Sequence, residues 1–206
     1  MNRISDGLKI HFIFGSDANF FRMDELVTLL CDKYAVSESA VAFLLSKMSK
    51  RTFANQEVIV DAHHAKQNYY IISSGIWRAF RLEDTTEITL WFERYGDVMY
   101  SEVFPNYCIE SVGVSEAYVI PKTELDRLCL ESHEISNLIR IIVEKFYFDV
   151  THSSVDLSSQ MAKERYLAML EKDPELFQLV PQKYIASFLG LTPQSLSRIR
   201  KDIFSK

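Results

Sequence analysis

Glycine is scarce, 6 of 206 residues, and cysteine scarcer still, at 3. The few glycines form no phosphate-cradling loop and no Gly-x-Ser-x-Gly elbow, and no zinc-protease helix occurs. Cys31, Cys108 and Cys129 are widely scattered, with no C-x-x-C pair, and three thiols cannot hold a four-cysteine iron–sulfur cluster. They read as reduced thiols of a cytoplasmic protein rather than as a disulfide framework. No apolar run approaches the ~18 residues that a membrane span needs. The start, MNRISDGLKIHF, has neither an extended apolar core nor a cleavage site, so no signal peptide and a cytoplasmic location are expected. His63-His64 is the one histidine pair, and strand neighbours point to opposite faces, so no metal site is expected. With no clustered nucleophile and base, the chain does not read as an enzyme, and no cofactor is called for. Positive charge is also short overall: the net charge is −5, which alone argues against a nucleic-acid partner.

What is present is an ordinary folded composition, 48% apolar and 25% charged. At ~150 residues per domain the length allows one large domain, or one medium and one small. The charge is unevenly placed. From Gln182 to Lys206 the basic residues Lys183, Arg198, Arg200, Lys201 and Lys206 face one acid, Asp202, giving this tail +4 and leaving −9 on residues 1–181. A basic end on an acidic body can aim one surface at a polyanion. It is equally consistent with a plain solvated basic terminus.

The chain changes character twice. A helical start has Asp24-Glu25 before Leu26, Leu29 and Leu30, then Ser37 as an N-cap before Val41, Leu44, Leu45 and Met48. From Arg51 to Ile120, segments rich in Val, Ile, Tyr, Phe and Thr recur about every ten residues: Glu57–Val60, Tyr69–Ser73, Ile76–Leu82, Glu87–Phe92, Ile109–Val114 and Ala117–Ile120. Gly75, Glu83-Asp84-Thr85, Gly96-Asp97, Pro105-Asn106 and Ser115-Glu116 punctuate them. This spacing suggests an antiparallel jelly roll or sandwich, with Trp77 and Trp91 packing on it. Helical periodicity returns with a short helix from about Glu124 to Leu130, capped by Thr123. A long helix follows, from about Glu134 to near Ser158. On it Ile135, Ile139, Ile142, Phe146 and Val150 form a seam continued by Leu157 and Met161. Its several apolar faces exceed what one small sheet can cover, so a second copy of the chain is the expected partner. The alternative is a helix packed only on its own domain. Ala162–Lys172 is a further amphipathic helix ended by Asp173-Pro174.

The strongest pattern is PQKYIASFLGLTPQSLSRIRK, from Pro181 to Lys201. Ile185, Ala186 and Leu189 share one helix face, Gly190 suits a left-handed turn, Thr192 can cap a second helix, and Pro193 suits its first position. Leu191, Leu196 and Ile199 complete a small core, with Ala186 allowing close approach. This is helix-turn-helix logic. The other face of the second helix carries Gln194, Ser195, Ser197 and Arg198, side-chain types that read base edges, while Lys183, Arg200 and Lys201 suit phosphates. An ordinary helical hairpin with a basic surface is the plainer alternative. Only six residues follow Arg200, so no β-hairpin wing is expected there, which places more weight on dimerisation.

A β-rich region, a long apolar helix and this tail together resemble the Crp/Fnr family of bacterial transcription regulators. The resemblance runs from about Leu26 and is most specific in AKERYLAML…DPELFQLVPQKYIASFLGLTPQSLSRIRK, Ala162 to Lys201. The segment ISSGIWRAFRLEDTTEITLWFERYGDVM, Ile72 to Met99, looks like the middle strands of that family's sensor domain. It implies an α+β chain: residues 1–132 as an antiparallel β-roll (a double-stranded β-helix or jelly roll, of cyclic-nucleotide-binding type) with flanking helices, 133–160 as a long dimerisation helix, and 161–206 as an all-α helix-turn-helix domain. It implies a homodimer on a pseudo-palindromic DNA operator, with RNA polymerase as a further candidate partner. Two symmetric probes must enter successive major grooves ~34 Å apart. An effector does not carry over. The family's Gly-Glu is matched by Gly96-Asp97, Met99 and Tyr100 replace small residues, and Phe104-Pro105-Asn106-Tyr107-Cys108 stands where an arginine is expected. No Arg or Lys lies between Arg94 and Lys122. A cyclic phosphate without a cation is poorly held, which argues against cyclic AMP. Gly96, Asp97, Tyr100 and Ser101 mark the equivalent region for an unidentified small molecule. The competing reading is a ligand-binding or protein-interaction module whose tail is a vestigial hairpin.

Overall fold

The computed structural model describes residues 23–61, 67–101, 107–159 and 161–204. Helices α1 (Met23–Tyr34) and α2 (Glu38–Lys47) come first. Ser37 caps α2, its Oγ accepting from the Ala40 N–H at 3.3 Å. Six antiparallel strands follow: β1 (Ser49–Phe53), β2 (Val58–Val60), β3 (Asn68–Glu83), β4 (Thr86–Arg94), β5 (Val98–Tyr100) and β6 (Tyr107–Pro121). The order is β1-β6-β3-β4, with β2 also on β6 and β5 also on β3.

Two breaks expected from the sequence are bends inside continuous strands. Strands β3 and β6 are 16 and 15 residues long and stay paired from Asn68↔Pro121 to Arg81↔Tyr107. Register shifts at Ile72/Ser74 and Ser74/Ile76 mark where the pair folds over. Gly75 sits at that corner with φ +82°, and a Cβ there would stand 2.5 Å from Ser115 Cβ and 2.8 Å from Ser115 Cα. The crossing of the two strands, not a turn, requires glycine. Ser115 is wholly buried beside it, its Oγ accepting from Trp77 Nε1–H at 2.7 Å and lying 2.6 Å from Ser111 Oγ. Trp77 in turn meets Phe53 and Tyr70 edge-on at 5.0 and 5.3 Å, and this aromatic set fills the roll.

Strand β6 runs straight into α3 (Lys122–Glu131) at Pro121. Thr123 therefore lies inside the helix rather than capping it. The Lys122 N–H is satisfied instead by the Gln67 carbonyl at 2.8 Å, so no side-chain cap is needed. Helix α4 (His133–Ser159) then runs for 27 residues. Its first half joins α1, α2 and α3 in one core: Ile135, Leu138 and Ile142 are buried with Leu26, Leu30, Leu44, Leu45, Leu125 and Leu128, each worth about 1.5–3 kcal/mol of burial.

Four more helices complete the chain: α5 (Ala162–Lys172), α6 (Leu176–Leu179), α7 (Gln182–Phe188) and α8 (Pro193–Phe204). Tyr166, Leu176, Tyr184, Ile185, Ala186, Leu189 and Leu196 form their core, which also takes in Ile76, Phe92 and Val112 of the roll. Helix α7 lies along β4, the sheet edge, where Ser187 Oγ accepts from the Thr89 N–H at 2.9 Å and donates to the Glu87 carbonyl at 3.1 Å. A side chain thus covers edge groups that would otherwise invite another strand.

Candidate nucleic-acid interface and sensor region

Helices α7 and α8 meet through a turn of four residues, Leu189 to Thr192. Gly190 has φ +69°, and the Leu191 N–H closes back on the Ala186 carbonyl at 2.8 Å. Arg165 of α5 donates from Nη2 to the Leu189 carbonyl at 2.8 Å, placing a cation at the negative end of α7. Thr192 caps α8, its Oγ1 accepting from the Ser195 N–H at 3.1 Å. Leu196 is wholly buried, and Leu191, Ile199 and Ile203 pack on the same core. The opposite side of α8 faces outward: Gln194, Ser197, Arg198 and Lys201 are exposed, as are Thr192 and Lys183, while Ser195 and Arg200 are half-buried. Gln194, Ser197, Arg198 and Lys201 recur at helical spacing along one exposed face of α8, with Ser195 partly occupied in the helix cap and Lys183 separate from them on α7.

The sensor-region residues lie at the turn from β4 to β5. The Asp97 carboxylate accepts from Lys33 Nζ at 2.5 Å and from the Arg94 N–H at 2.8 Å, and Lys33 also donates to the Gly96 carbonyl at 3.0 Å. Ser101 is wholly buried, accepting from the Asn68 N–H at 3.0 Å and donating to its carbonyl at 3.2 Å. The Tyr100 ring lies 4.6 Å from that of Tyr69. The cation missing from the local sequence is supplied from α1, 64 residues away along the chain, but it is already held by Asp97. Burial works against the Lys33 charge, yet Asp97 and the Tyr34 hydroxyl outweigh it and keep the ammonium above its ordinary range. Beside them, Glu93 is pushed well above the usual carboxylate range by burial and then by the Asp97 carboxylate, which shares a hydrogen bond with it. Burial likewise raises the Tyr107 hydroxyl, with the Glu93 carboxylate adding to it. A buried carboxyl with a raised pKa, an ion pair already closed on itself and buried phenols make a surrounding poor for a bare phosphate. Phe104, Pro105 and Asn106 lie outside the described residues, as do His63 and His64.

The expected seam on α4 divides. Ile135 and Ile142 are buried in the chain's own core and Ile139 packs against it, because α1, α2 and α3 cover that side. They are not free to meet a second copy, which corrects the seam. Phe146 is 51% exposed, and its neighbours Val143, Tyr147 and Phe148 are exposed as well. The side chain of Val150 lies outside the described residues, and so do those of Leu157 and its neighbours.

No family model and no curated protein matches this sequence. Solved structures do. FixK2 from Bradyrhizobium japonicum superposes with a TM-score of 0.64 at 18% identity, covering 77% of this chain and 85% of that one. The global regulator CLP from Xanthomonas campestris gives 0.63 at 16%, covering 82% and 92%. A crp/fnr-family regulator from Eubacterium rectale gives 0.61 at 15%, covering 82% and 85%. The fold is of the Crp/Fnr type. Within that Crp/Fnr-type fold, sequence reasoning missed Lys33, Glu93 and Arg165. Lys33 and Arg165 reach their sites from other helices, and only a solved register could bring them there. Glu93 carried a faint signal, an acid following Trp91 and Phe92 near the end of β4. Among the described residues no group of acids, cysteines and histidines could hold a metal ion, and no helix is long and apolar enough to cross a membrane.

Proposed function

We propose that the chain is a sequence-specific DNA-binding transcription regulator of the cytoplasm, not an enzyme, acting as a homodimer whose β-roll senses a small molecule. The observation that carries this reading is the outward row of Gln194, Ser197 and Arg198 on a helix whose inner side is sealed by Leu196. The Crp/Fnr-type fold supports it, as do names among the solved structures: CLP is described as a cyclic di-GMP-responsive global regulator linked to gene expression, and the Eubacterium rectale protein as a putative transcriptional regulator. Residues 1–132 serve as the sensor, 133–160 as the dimerisation helix and 161–206 as the helix-turn-helix part. Gln194, Ser195, Ser197 and Arg198 read bases, Lys183, Arg200 and Lys201 hold phosphates, and Thr192 sets the start of the reading helix. Phe146, with Val143 and Tyr147, is the dimer contact. Gly96, Asp97, Tyr100 and Ser101 border the effector region, whose acidic and phenolic lining favours a ligand other than cyclic AMP.

The test compares two variants on the preferred duplex and on scrambled DNA. Arg198→Ala costs about 1–3 kcal/mol on the preferred duplex and relaxes the preference at one base pair. Lys201→Ala weakens every duplex alike and flattens the salt dependence. Equal losses in both variants on all DNA would remove the base-reading assignment.

A further inference from the structure

Arg78 of β3 is 1% exposed, a charged side chain wholly enclosed where the roll meets α7. Its guanidinium carbon lies 3.6 Å from the ring centroid of Tyr184 on α7 and 4.2 Å from that of Phe80 on its own strand. Nη2 meets the carboxylates of Glu87 at 2.5 Å and Glu110 at 2.7 Å. A planar cation that pairs and stacks at once suits arginine and not lysine. Nε has no hydrogen-bond partner among the described residues, so ring and charge contacts carry much of the hold. Two further contacts fasten α7 along β4, the Ser187 bonds and the Phe188 ring 5.7 Å from Phe92. Lys183 closes the chain of contacts, its Nζ 4.7 Å from the same Tyr184 ring. One phosphate candidate is thereby linked through a single aromatic ring to the floor of the roll.

We propose that Arg78 is a positioning residue for DNA recognition: by clamping Tyr184 it fixes the angle of α7 and α8 on the roll, and with it the separation of the two reading helices in a dimer. This rests on the DNA-reading proposal above. The outward face of α8 stays exposed while α7 is clamped, so the clamp sets orientation and not access. Base preference belongs to α8 and half-site spacing to Arg78. Half-sites move by ~3.4 Å per base pair, so a helix pair freed to shift by a few ångströms accepts more than one spacing.

The experiment uses the full chain. Its preferred duplex is selected from random DNA, then remade with the half-sites one base pair closer or farther apart. The wild-type protein favours one spacing at least tenfold. Arg78→Gln and Tyr184→Leu keep the half-site sequence but fall below threefold discrimination between spacings, whereas Tyr184→Phe, which keeps the ring, behaves as wild type. Tyr184→Leu leaves the roll's charged pair intact and carries the test should Arg78→Gln not fold. Wild-type spacing discrimination in both variants, or loss of sequence and spacing preference together, overturns the positioning role alone. No enriched duplex with the wild-type protein overturns the DNA reading and the positioning role with it. Spin labels at positions 83 and 194 in DNA-free protein report the clamp separately: one narrow distance in wild type and a broad distribution in Tyr184→Leu support it, and equal widths overturn it.

Discussion

Two glycines with nearly the same backbone angle differ sharply in what alanine would cost. Gly190 has φ +69° and an open surrounding, the nearest atom to an added Cβ being Arg165 Nη2 at 3.6 Å, an ordinary contact. Alanine there costs the left-handed conformation alone, about 1–2 kcal/mol. Gly75 has φ +82°, and its Cβ would press on Ser115 Cα at 2.8 Å and the Val114 carbonyl at 2.9 Å. These are backbone atoms of the paired strand and cannot swing aside. Overpacking adds about 1–3 kcal/mol to the same conformational term, for a total of about 2–5 kcal/mol. In urea, with a slope of about 3 kcal/mol per molar, Gly190→Ala lowers the midpoint by about 0.3–0.7 M and Gly75→Ala by about 0.7–1.7 M. Gly190→Asn, which tolerates the left-handed region, recovers part of the loss, while Gly75→Asn recovers none. Equilibrium unfolding followed by tryptophan fluorescence measures all four variants. Equal midpoints for the two alanine variants would refute the claim that the strand crossing requires glycine at the corner.

Other expectations follow from charge and exposure. Glu93 binds its proton more tightly folded than unfolded, so its contribution to stability is full below about pH 4.5 and is lost as the pH rises through the raised folded value. Glu93→Gln stays neutral, so its advantage over wild type in urea unfolding grows from pH 5 to pH 8, and parallel curves would contradict this. Phe146→Asp shifts sedimentation toward monomer with little change in monomer stability, because its ring is 51% exposed. Ile142→Asp instead buries a charge in the chain's own core and costs the fold itself several kcal/mol. Matching stability losses for these two would mean that Phe146 is not a contact between copies.

Much of this architecture was legible in the sequence because local chemistry and tertiary role coincide. Ser37 and Thr192 cap helices as their position before an apolar run suggests, and Ala162–Lys172 has the bounds that its apolar period gives. The strands were found but cut short, since Gly75 and Ser115-Glu116 look like turns when pairing is unknown. Bulges allow two long strands to bend without parting, and nothing in a single strand announces its partner. Strand β1 was overlooked because Ser49–Phe53 is polar and mostly exposed, held by its pairing with β6. The α4 seam misled for a similar reason: apolar spacing shows that a face is covered, not whether the cover is its own chain or another. Charged contacts were the least legible. Lys33 with Asp97 and Arg78 with Glu110 join residues far apart in sequence, and buried arginine looks like surface arginine until the sheet is assembled.

The most direct measurement is selection of bound duplexes from a random DNA pool by the purified protein. The account predicts an enriched inverted repeat, its half-site centres about one helical turn or a whole multiple apart, and loss of that enrichment in Arg198→Ala at one symmetric pair of positions. A pool that shows no enriched motif, or one unchanged by Arg198→Ala, would contradict it.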